Sequence, residues 1–209
     1  MKVICFQWQL IKKMRNKRGK FTRVPIEVPI DSLTPLDITC GSTKCEEELH
    51  CFSLKKSSIR KHGKKGVCHQ CGTDLIDWTR VHQLNLHDVS FMFSAMKNEL
   101  IRHVFWLTEI DDKAREGAIA EGLEQLKERA RKSLKTKVGK HNAFMDGRQT
   151  PMGNGDIVNY AQHATATCCR KCIEIWHNIP QEKLLTEEEL DFFTELVMLY
   201  SKERIPELK

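Results

Sequence analysis

Long apolar runs are missing from this sequence. None of its 209 residues belongs to a run of eighteen or more apolar residues, and a helix needs about 20 of them to cross a bilayer. The first residues also lack an apolar segment followed by a small-residue cleavage site, so we expect no signal peptide. These absences predict a folded cytoplasmic protein with no membrane partner.

Acidic residues are absent from two stretches that are rich in lysine and arginine. The net charge is only +6, but residues 11–23 and 52–65 carry seven and six cations with no acid among them. Such clusters can bind polyphosphate by releasing counterions, although lysine-rich loops that are simply solvated give the same pattern. The candidate nucleic-acid contacts are Lys12, Lys13, Arg15, Lys17, Arg18, Lys55, Lys56, Arg60, Lys61, Lys64 and Lys65.

The nine cysteines are an odd number and lie in clusters, which in a reducing compartment favours metal thiolates over disulfides. Two close pairs, Cys40-x4-Cys45 and Cys68-x2-Cys71, bracket a spacer, and a glycine follows the second pair. Residues 40–72 resemble a zinc ribbon, in which two turns joined by a β-hairpin each give two sulfurs to one zinc ion. Cys51 or His50 is an alternative to Cys45, and a set of buried free thiols is the plainer interpretation.

The apolar spacing predicts an α+β fold. Alternation over residues 3–10 and 24–30 predicts two strands of a hairpin, whose tip carries the first cationic stretch. Helical spacing then predicts helices over residues 89–107 and 111–134, and a last helix that begins with a capping box at Thr186. We therefore expect an N-terminal β-hairpin and zinc ribbon (1–78), packed on or linked to a mainly α-helical domain (79–209).

Residues 163–177 concentrate more chemistry than any other segment of the chain. On a helix beginning near Cys168, Cys169 and Cys172 are three residues apart and face the same way. An iron–sulfur cluster, a reactive thiol beside Arg170 and a buried brace of inert thiols are alternatives to a zinc site. The candidate ligands of a second zinc ion, beside the one expected in the ribbon, are His163, Cys169, Cys172 and His177, with Cys168 as an alternate.

One part of the chain is similar to a known family. The strings DGRQTP, AQHATATCCR and WHxIP, which all lie between Asp146 and Pro180, resemble the signature of an uncharacterised bacterial and phage family of domains of unknown function. The resemblance implies a bacterial or phage origin and a single site formed by residues 146–180. It implies no activity, and the ribbon lies outside it.

Our leading hypothesis is a zinc-binding protein that contacts nucleic acid through the basic hairpin and the finger of the ribbon. A rival is an enzyme that acts on nucleic acid, such as a nuclease or base-removing enzyme, with Asp146, Arg148, Gln149 and His163 as candidate catalytic residues. Against it, the sequence lacks a recognisable His-Asn-His nuclease pattern with the usual spacing. A third hypothesis is an adaptor whose zinc sites shape a surface for a protein partner.

Overall fold

The described part of the chain is built from helices. The computed structural model describes residues 38–52, 56–140 and 155–208, which form nine α-helices and two short 3-10 turns without any β-strand. The helices are α1 (Lys56–His62), α2 (Trp78–Val81), α3 (Val89–Met96), α4 (Leu100–Leu107), α5 (Asp112–Glu121), α6 (Leu123–Val138), α7 (Ile157–Ala164), α8 (Arg170–His177) and α9 (Glu187–Arg204).

The expected α+β class is therefore wrong for these residues. The only extended pairings within the described ranges are two isolated bridges, Lys44–Leu49 and His50–Glu99. A helix, α1, stands in the spacer where the zinc ribbon needs a β-hairpin, so residues 40–72 do not form a ribbon. The hairpin predicted within residues 3–30 lies outside the described residues.

Local sequence explains why the spacer is helical. The α1 segment KSSIRKH contains a single apolar residue, Ile59, so it lacks the alternation that would give a strand a buried face. Its last turn carries Arg60, Lys61 and His62, and cations at this end interact favourably with the helix dipole. The cluster of positive charge that we noted in the sequence thus favours a helix here.

Helix α9 lies at the centre of the helical part and contacts α3, α6 and α7. Its buried residues cover most of the circumference of the helix, as expected for a central element, while Asp191 and Lys202 lie on the remaining exposed face. The predicted capping box is confirmed: the Glu189 amide donates to Thr186 Oγ1 at 3.2 Å, and the Thr186 amide donates to Glu189 Oε2 at 2.8 Å. No helix in the described ranges, α9 included, is long and apolar enough to cross a membrane.

Two segments that we expected to be single helices are each divided. The segment 89–107 breaks at Glu99, whose backbone is extended. His50 pairs with the residues on either side of it. The His50 amide donates to the Asn98 carbonyl at 2.8 Å, and the Leu100 amide donates to the His50 carbonyl at 2.9 Å. The second breaks at Gly122, which adopts a φ of 77° between α5 and α6. Long-range pairing overrides the periodicity in the first case, and glycine allows the turn in the second.

Arg170, at the start of α8, ties together the ends of several elements. Its side chain is fully buried, and its guanidinium donates to four backbone carbonyls. These acceptors are Val138 at 3.0 Å, Pro180 at 2.6 Å, Gln181 at 3.2 Å and Lys183 at 2.6 Å. The arginine therefore donates hydrogen bonds to buried carbonyls at the end of α6 and in the loop before α9. Without it these carbonyls would lack donors.

We predict that Arg170→Met lowers the free energy of unfolding by about 3 kcal/mol or more, because it leaves buried carbonyls unsatisfied. Urea denaturation measures the loss. Arg115→Met is the matched control, since Arg115 is partly exposed and pairs with Glu207 at 2.9 Å on the surface. Such a pair contributes at most about 1 kcal/mol. Equal losses in the two variants would contradict the role given to Arg170.

Candidate metal centre

Two neighbouring turns bring four side chains together in what we call the first ligand group: Cys45, His50, Cys68 and Cys71. Their ligand atoms all lie within 4.8 Å of one another. The Sγ atoms of Cys45 and Cys68 are 3.8 Å apart, and Cys71 Sγ lies 3.5 Å from His50 Nδ1. Around a tetrahedral zinc ion with bonds of about 2.3 Å to sulfur and about 2.0 Å to nitrogen, these separations would be about 3.8 Å and about 3.5 Å. These two separations fit tetrahedral ligation, and the group could hold a metal ion.

The first turn is closed by its backbone. The Lys44 amide donates to the Leu49 carbonyl at 2.8 Å, and the Leu49 amide donates back to the Lys44 carbonyl at 3.1 Å. Between them Glu48 adopts a left-handed conformation with a φ of 58°. This closure brings the ends of Cys45-x4-His50 side by side.

The second turn depends on glycine. The Cys68 amide donates to the Thr73 carbonyl and the Gly72 amide to the Cys68 carbonyl, both at 2.9 Å. Gly72 has a φ of 85°, as we predicted for a tight turn after the last sulfur. A Cβ atom at this position would lie 2.7 Å from His62 Nδ1, so the turn also needs glycine because α1 packs closely against it.

The thiols of the first ligand group differ in pKa. Burial raises the pKa of Cys45 to about 12. Burial also opposes ionisation of Cys71, but hydrogen bonds from the side chain and backbone of Thr73 lower its pKa to about 6. His50 is buried, and its Nε2, which lies 3.6 Å from Glu48 Oε2, has no hydrogen-bond partner. One thiolate and one buried imidazole are thus available for a first bond to a cation.

A second ligand group, Cys168, Cys169 and Cys172, lies where α7 passes into α8. Its three sulfurs are within 4.8 Å of one another, so this group could also hold a metal ion. Cys168 and Cys172 are buried, and Cys169 is partly exposed at the N-cap of α8. The two residues before α8 and the first turn of that helix thus bring the three thiols together.

A buried arginine from α4 contacts this second group. Arg102 Nη2 lies 3.2 Å from Cys172 Sγ, and Nη1 lies 4.0 Å from Cys168 Sγ. The guanidinium also pairs with Glu99 at 3.0 Å and donates to the His163 carbonyl. Burial alone would lower the Arg102 pKa, but the neighbouring thiols and Glu99 raise it well above its ordinary value. Arg102 is therefore a permanent cation directed at the sulfurs.

The thiols of the second group are not activated as nucleophiles. The pKa of Cys169 is raised to about 11, first by its hydrogen bond with the Cys168 thiol and further by burial. A reactive cysteine at a helix N-terminus would have a lowered pKa instead. The arrangement fits metal ligation or packing better than the reactive-thiol alternative.

The ligands predicted for the ribbon are divided between two places. Cys45, Cys68 and Cys71 lie together, with His50 as their fourth member. Cys40 does not belong to this group, and its side chain is exposed. Cys51, one of the alternatives, is buried and donates its thiol to the Cys40 carbonyl at 3.0 Å.

The two histidines proposed for the second zinc ion have other partners. The His163 ring is buried and stacks on Phe105, with centroids 4.3 Å apart and planes 8° apart. His177 Nε2 lies 3.3 Å from the Thr165 carbonyl, and its ring packs on Phe193 at 4.4 Å. Neither ring belongs to the second ligand group, which consists of the three cysteines.

The remaining candidates fall partly outside the described residues. This holds for Asp146, Arg148 and Gln149 in the predicted catalytic set, and for the cationic residues Lys12, Lys13, Arg15, Lys17, Arg18 and Lys55. The other five cations, Lys56, Arg60, Lys61, Lys64 and Lys65, are exposed on α1 and the loop that follows it.

Sequence reasoning did not find the buried pair Arg102–Glu99. Glu99 accepts hydrogen bonds at one oxygen, Oε2, from Arg102 Nε at 3.0 Å and from Trp176 Nε1 at 2.7 Å. The sequence did contain a sign of a buried charge, because Arg102 follows Leu100 and Ile101 and precedes Val104 on an apolar helix. A charged residue on the buried face of a helix needs a partner, and here the partners are an acid and sulfurs.

The fold and these two groups define a class of protein: a mainly helical domain with cysteine and histidine clusters that could hold metal ions. The model of the family described as "Domain of unknown function (DUF4186)" matches residues 90–202, more than half of the chain, and the chain belongs to that family. The match contains the second ligand group but not the first. No solved structure matches the chain.

We predict that His50→Ala reduces the zinc bound per chain by one equivalent, because it removes the only nitrogen donor of the first ligand group. Elemental analysis after gel filtration measures the content. Cys51→Ser is the control, since Cys51 lies in the same segment but belongs to neither group. A variant with His50→Ala that keeps its full zinc content would exclude this histidine as a ligand.

We also predict that His177 makes the stability depend on pH. Burial lowers its pKa from 6.5 to about 3 in the folded state, so between these values only the unfolded chain takes up the proton. Stability therefore falls as the pH falls below about 6.5. Between about pH 7 and pH 5, this single group should lower the free energy of unfolding by about 2 kcal/mol.

The measurement compares the wild type with His177→Gln in urea at a series of pH values. Glutamine keeps a donor for the Thr165 carbonyl but does not titrate. The cysteines are the same in both chains, so any loss of metal in acid largely cancels in the difference. Parallel stability curves for the two chains would show that His177 is not the source.

Proposed function

We propose that this protein binds zinc and interacts with nucleic acid through a basic surface formed by α1 and the loop after it, residues 56–65. The observation that carries the proposal is that the first ligand group holds this surface in place. A bound ion would thus act structurally, and the exposed cations would supply the affinity.

The last turn of α1 rests on the turn that carries Cys68 and Cys71. Lys61 Nζ donates to the Gln70 carbonyl at 2.7 Å, and His62 Nε2 contacts the His69 carbonyl at 3.1 Å. On the other side of the loop, Trp78 Nε1 donates to the Gly66 carbonyl at 2.7 Å. The middle of the basic surface is therefore fixed to a turn of the metal centre, and the residue after its end is fixed to Trp78.

The charge on this surface suits a polyanion. Residues 56–65 contain five cations and no acid, and all five are exposed. Lys64 pairs with Asp74 just outside the surface, which reduces its contribution. Lys56, Arg60 and Lys65 are therefore the residues from which we expect most of the phosphate contact.

Zinc is the ion that we propose for the first ligand group. Three thiols and one imidazole form a common zinc ligand set, whereas magnesium and calcium prefer oxygen ligands. A reducing, cytoplasmic location fits this proposal because thiolate ligands must stay reduced. The cations outside the described residues, Lys12 to Arg18 and Lys55, belong to the same proposal.

The enzyme hypothesis has less support. Of its candidate residues, only His163 lies in the described part of the chain, where its ring is buried and stacked on Phe105. A general base must reach the substrate, and this ring offers no exposed edge for that purpose. The adaptor hypothesis differs from ours in having no phosphate contact, so salt dependence separates the two.

We predict that the purified chain binds labelled duplex DNA or single-stranded RNA and that its affinity falls steeply between about 50 mM and about 200 mM salt. The triple variant Lys56→Ala, Arg60→Ala, Lys65→Ala should bind more weakly. Its slope of log affinity against log salt should shrink by about 2 to 3, close to one unit for each lost phosphate contact. Fluorescence anisotropy measures both quantities.

The matched control replaces three exposed cations elsewhere on the described surface, Lys113, Lys132 and Lys202, with alanine. It lowers the net charge by the same amount, so its slope reports the effect of net charge alone. Equal slopes in the two triple variants would remove the basic surface from the proposal. Absence of binding even at low salt would favour the adaptor hypothesis.

A further inference from the structure

The second ligand group differs from the first in the number of its ligands. The first has four members, whereas the second has three sulfurs within 4.8 Å of one another. Within residues 38–52, 56–140 and 155–208, no fourth cysteine, histidine or carboxylate lies that close to all three. We infer that Cys168, Cys169 and Cys172 bind a second zinc ion whose fourth coordination position is taken by an exchangeable ligand from solvent. The site lacks the two histidines that the sequence suggested, and it does not depend on nucleic-acid binding.

The spacing of the three sulfurs suits a single metal ion. Sulfurs that share one tetrahedral zinc ion, with bonds of about 2.3 Å, are about 3.8 Å apart, which the observed limit of 4.8 Å accommodates. In an iron–sulfur cluster the cysteines bind different irons, which places their sulfurs farther apart. Three protein ligands with an open position are typical of zinc sites that bind water or a substrate, whereas four ligands are typical of structural sites.

The charges around the sulfurs favour a divalent ion. Arg102 Nη2 lies 3.2 Å from Cys172 Sγ and Nη1 lies 4.0 Å from Cys168 Sγ, while its Nε is paired with Glu99. Donors of this kind stabilise sulfur ligands from outside the metal's own shell. Three thiolates leave one net negative charge around Zn²⁺ and two around Cu⁺, and buried charge is costly without compensation. Because Glu99 already balances part of the positive charge of Arg102, the ion that leaves less negative charge is favoured.

The burial pattern gives the site a closed side and an open side. Cys168 and Cys172 are buried against Arg102, whereas Cys169 is partly exposed and Lys171 is exposed. Solvent can therefore reach the ion past Cys169. Water would occupy the fourth position, and a small thiol could replace it, because zinc readily takes thiolate ligands. In that exchange the thiol loses its proton to solvent, its sulfur bonds to zinc and the water leaves.

The site predicts that the purified full-length chain binds two zinc ions. In Cys169→Ser, we expect the second ion to be held at least about ten times more weakly in competition with a chelator, while the first is unchanged. The fold should tolerate this change, because Cys169 is the N-cap of α8 and serine is a favoured N-cap residue. Cys40→Ser is the matched control, since Cys40 is exposed and belongs to neither group, and it should keep both ions.

Cobalt substitution tests the open position. With two cobalt ions bound, sulfur-to-cobalt charge-transfer absorption should report six thiolates, three from each group. Excess 2-mercaptoethanol should raise this absorption by one thiolate, because the added thiol enters the fourth position of the second ion only. Cys169→Ser loaded with one equivalent of cobalt fills the first group alone and should show no increase. Cys40→Ser with two cobalt ions should report the same six thiolates and the same increase.

Five results would overturn the inference. A wild-type chain with a single zinc ion that is lost in His50→Ala would exclude the second site and leave the first in place. Two zinc ions bound with unchanged affinity in Cys169→Ser would exclude that cysteine as a ligand. A weakened second ion in Cys40→Ser, or cobalt absorption that does not respond to 2-mercaptoethanol, would show that the chain itself supplies the fourth ligand. Iron in the purified protein with the visible absorption of a cluster would replace the zinc ion with an iron–sulfur centre.

Discussion

The buried ion pair between Arg102 and Glu99 is the interaction on which the other features depend. Taking both charges out of water costs several kcal/mol, which only close hydrogen bonding recovers. These hydrogen bonds are present: Glu99 accepts one from Trp176, and Arg102 donates to the His163 carbonyl and to the sulfur of Cys172. At the same residue, the Glu99 backbone leaves the helix to form a bridge with His50. One ion pair therefore places α4, α7 and α8 around the sulfurs of the second group and connects them to the first.

The motif from Gln162 to Arg170 acts mainly as an internal brace in this arrangement. Gln162 Nε2 donates to the Thr167 carbonyl at 3.1 Å, the Thr165 hydroxyl donates to the Ala161 carbonyl at 2.8 Å, and Arg170 holds four carbonyls. An unusual string of polar residues thus serves backbone groups that would otherwise be buried without partners. The thiols at its end are the part that remains open to a ligand.

Sequence reasoning succeeded where the physics is local. The Cys68-x2-Cys71 turn, the positive φ of Gly72 and the capping box at Thr186 all follow from spacing within a few residues. It failed where distant segments meet. The bridge from His50 to Glu99 divides a predicted helix, and nothing in the periodicity of either segment indicates it. Likewise, sequence spacing grouped Cys40 with Cys45, whereas the fold leaves Cys40 outside the group that contains Cys45.

The separation of the two ligand groups along the chain has a consequence for how the protein is made. On the ribosome, all ligands of the first group have been synthesised once Cys71 has emerged, so an ion could close that centre early. The thiols of the second group are complete only when the chain has been extended to Cys172. Domains form from the N-terminus during synthesis, so the first group could be closed before the second exists. The order of synthesis would then favour correct grouping of cysteines that all compete for the same metal.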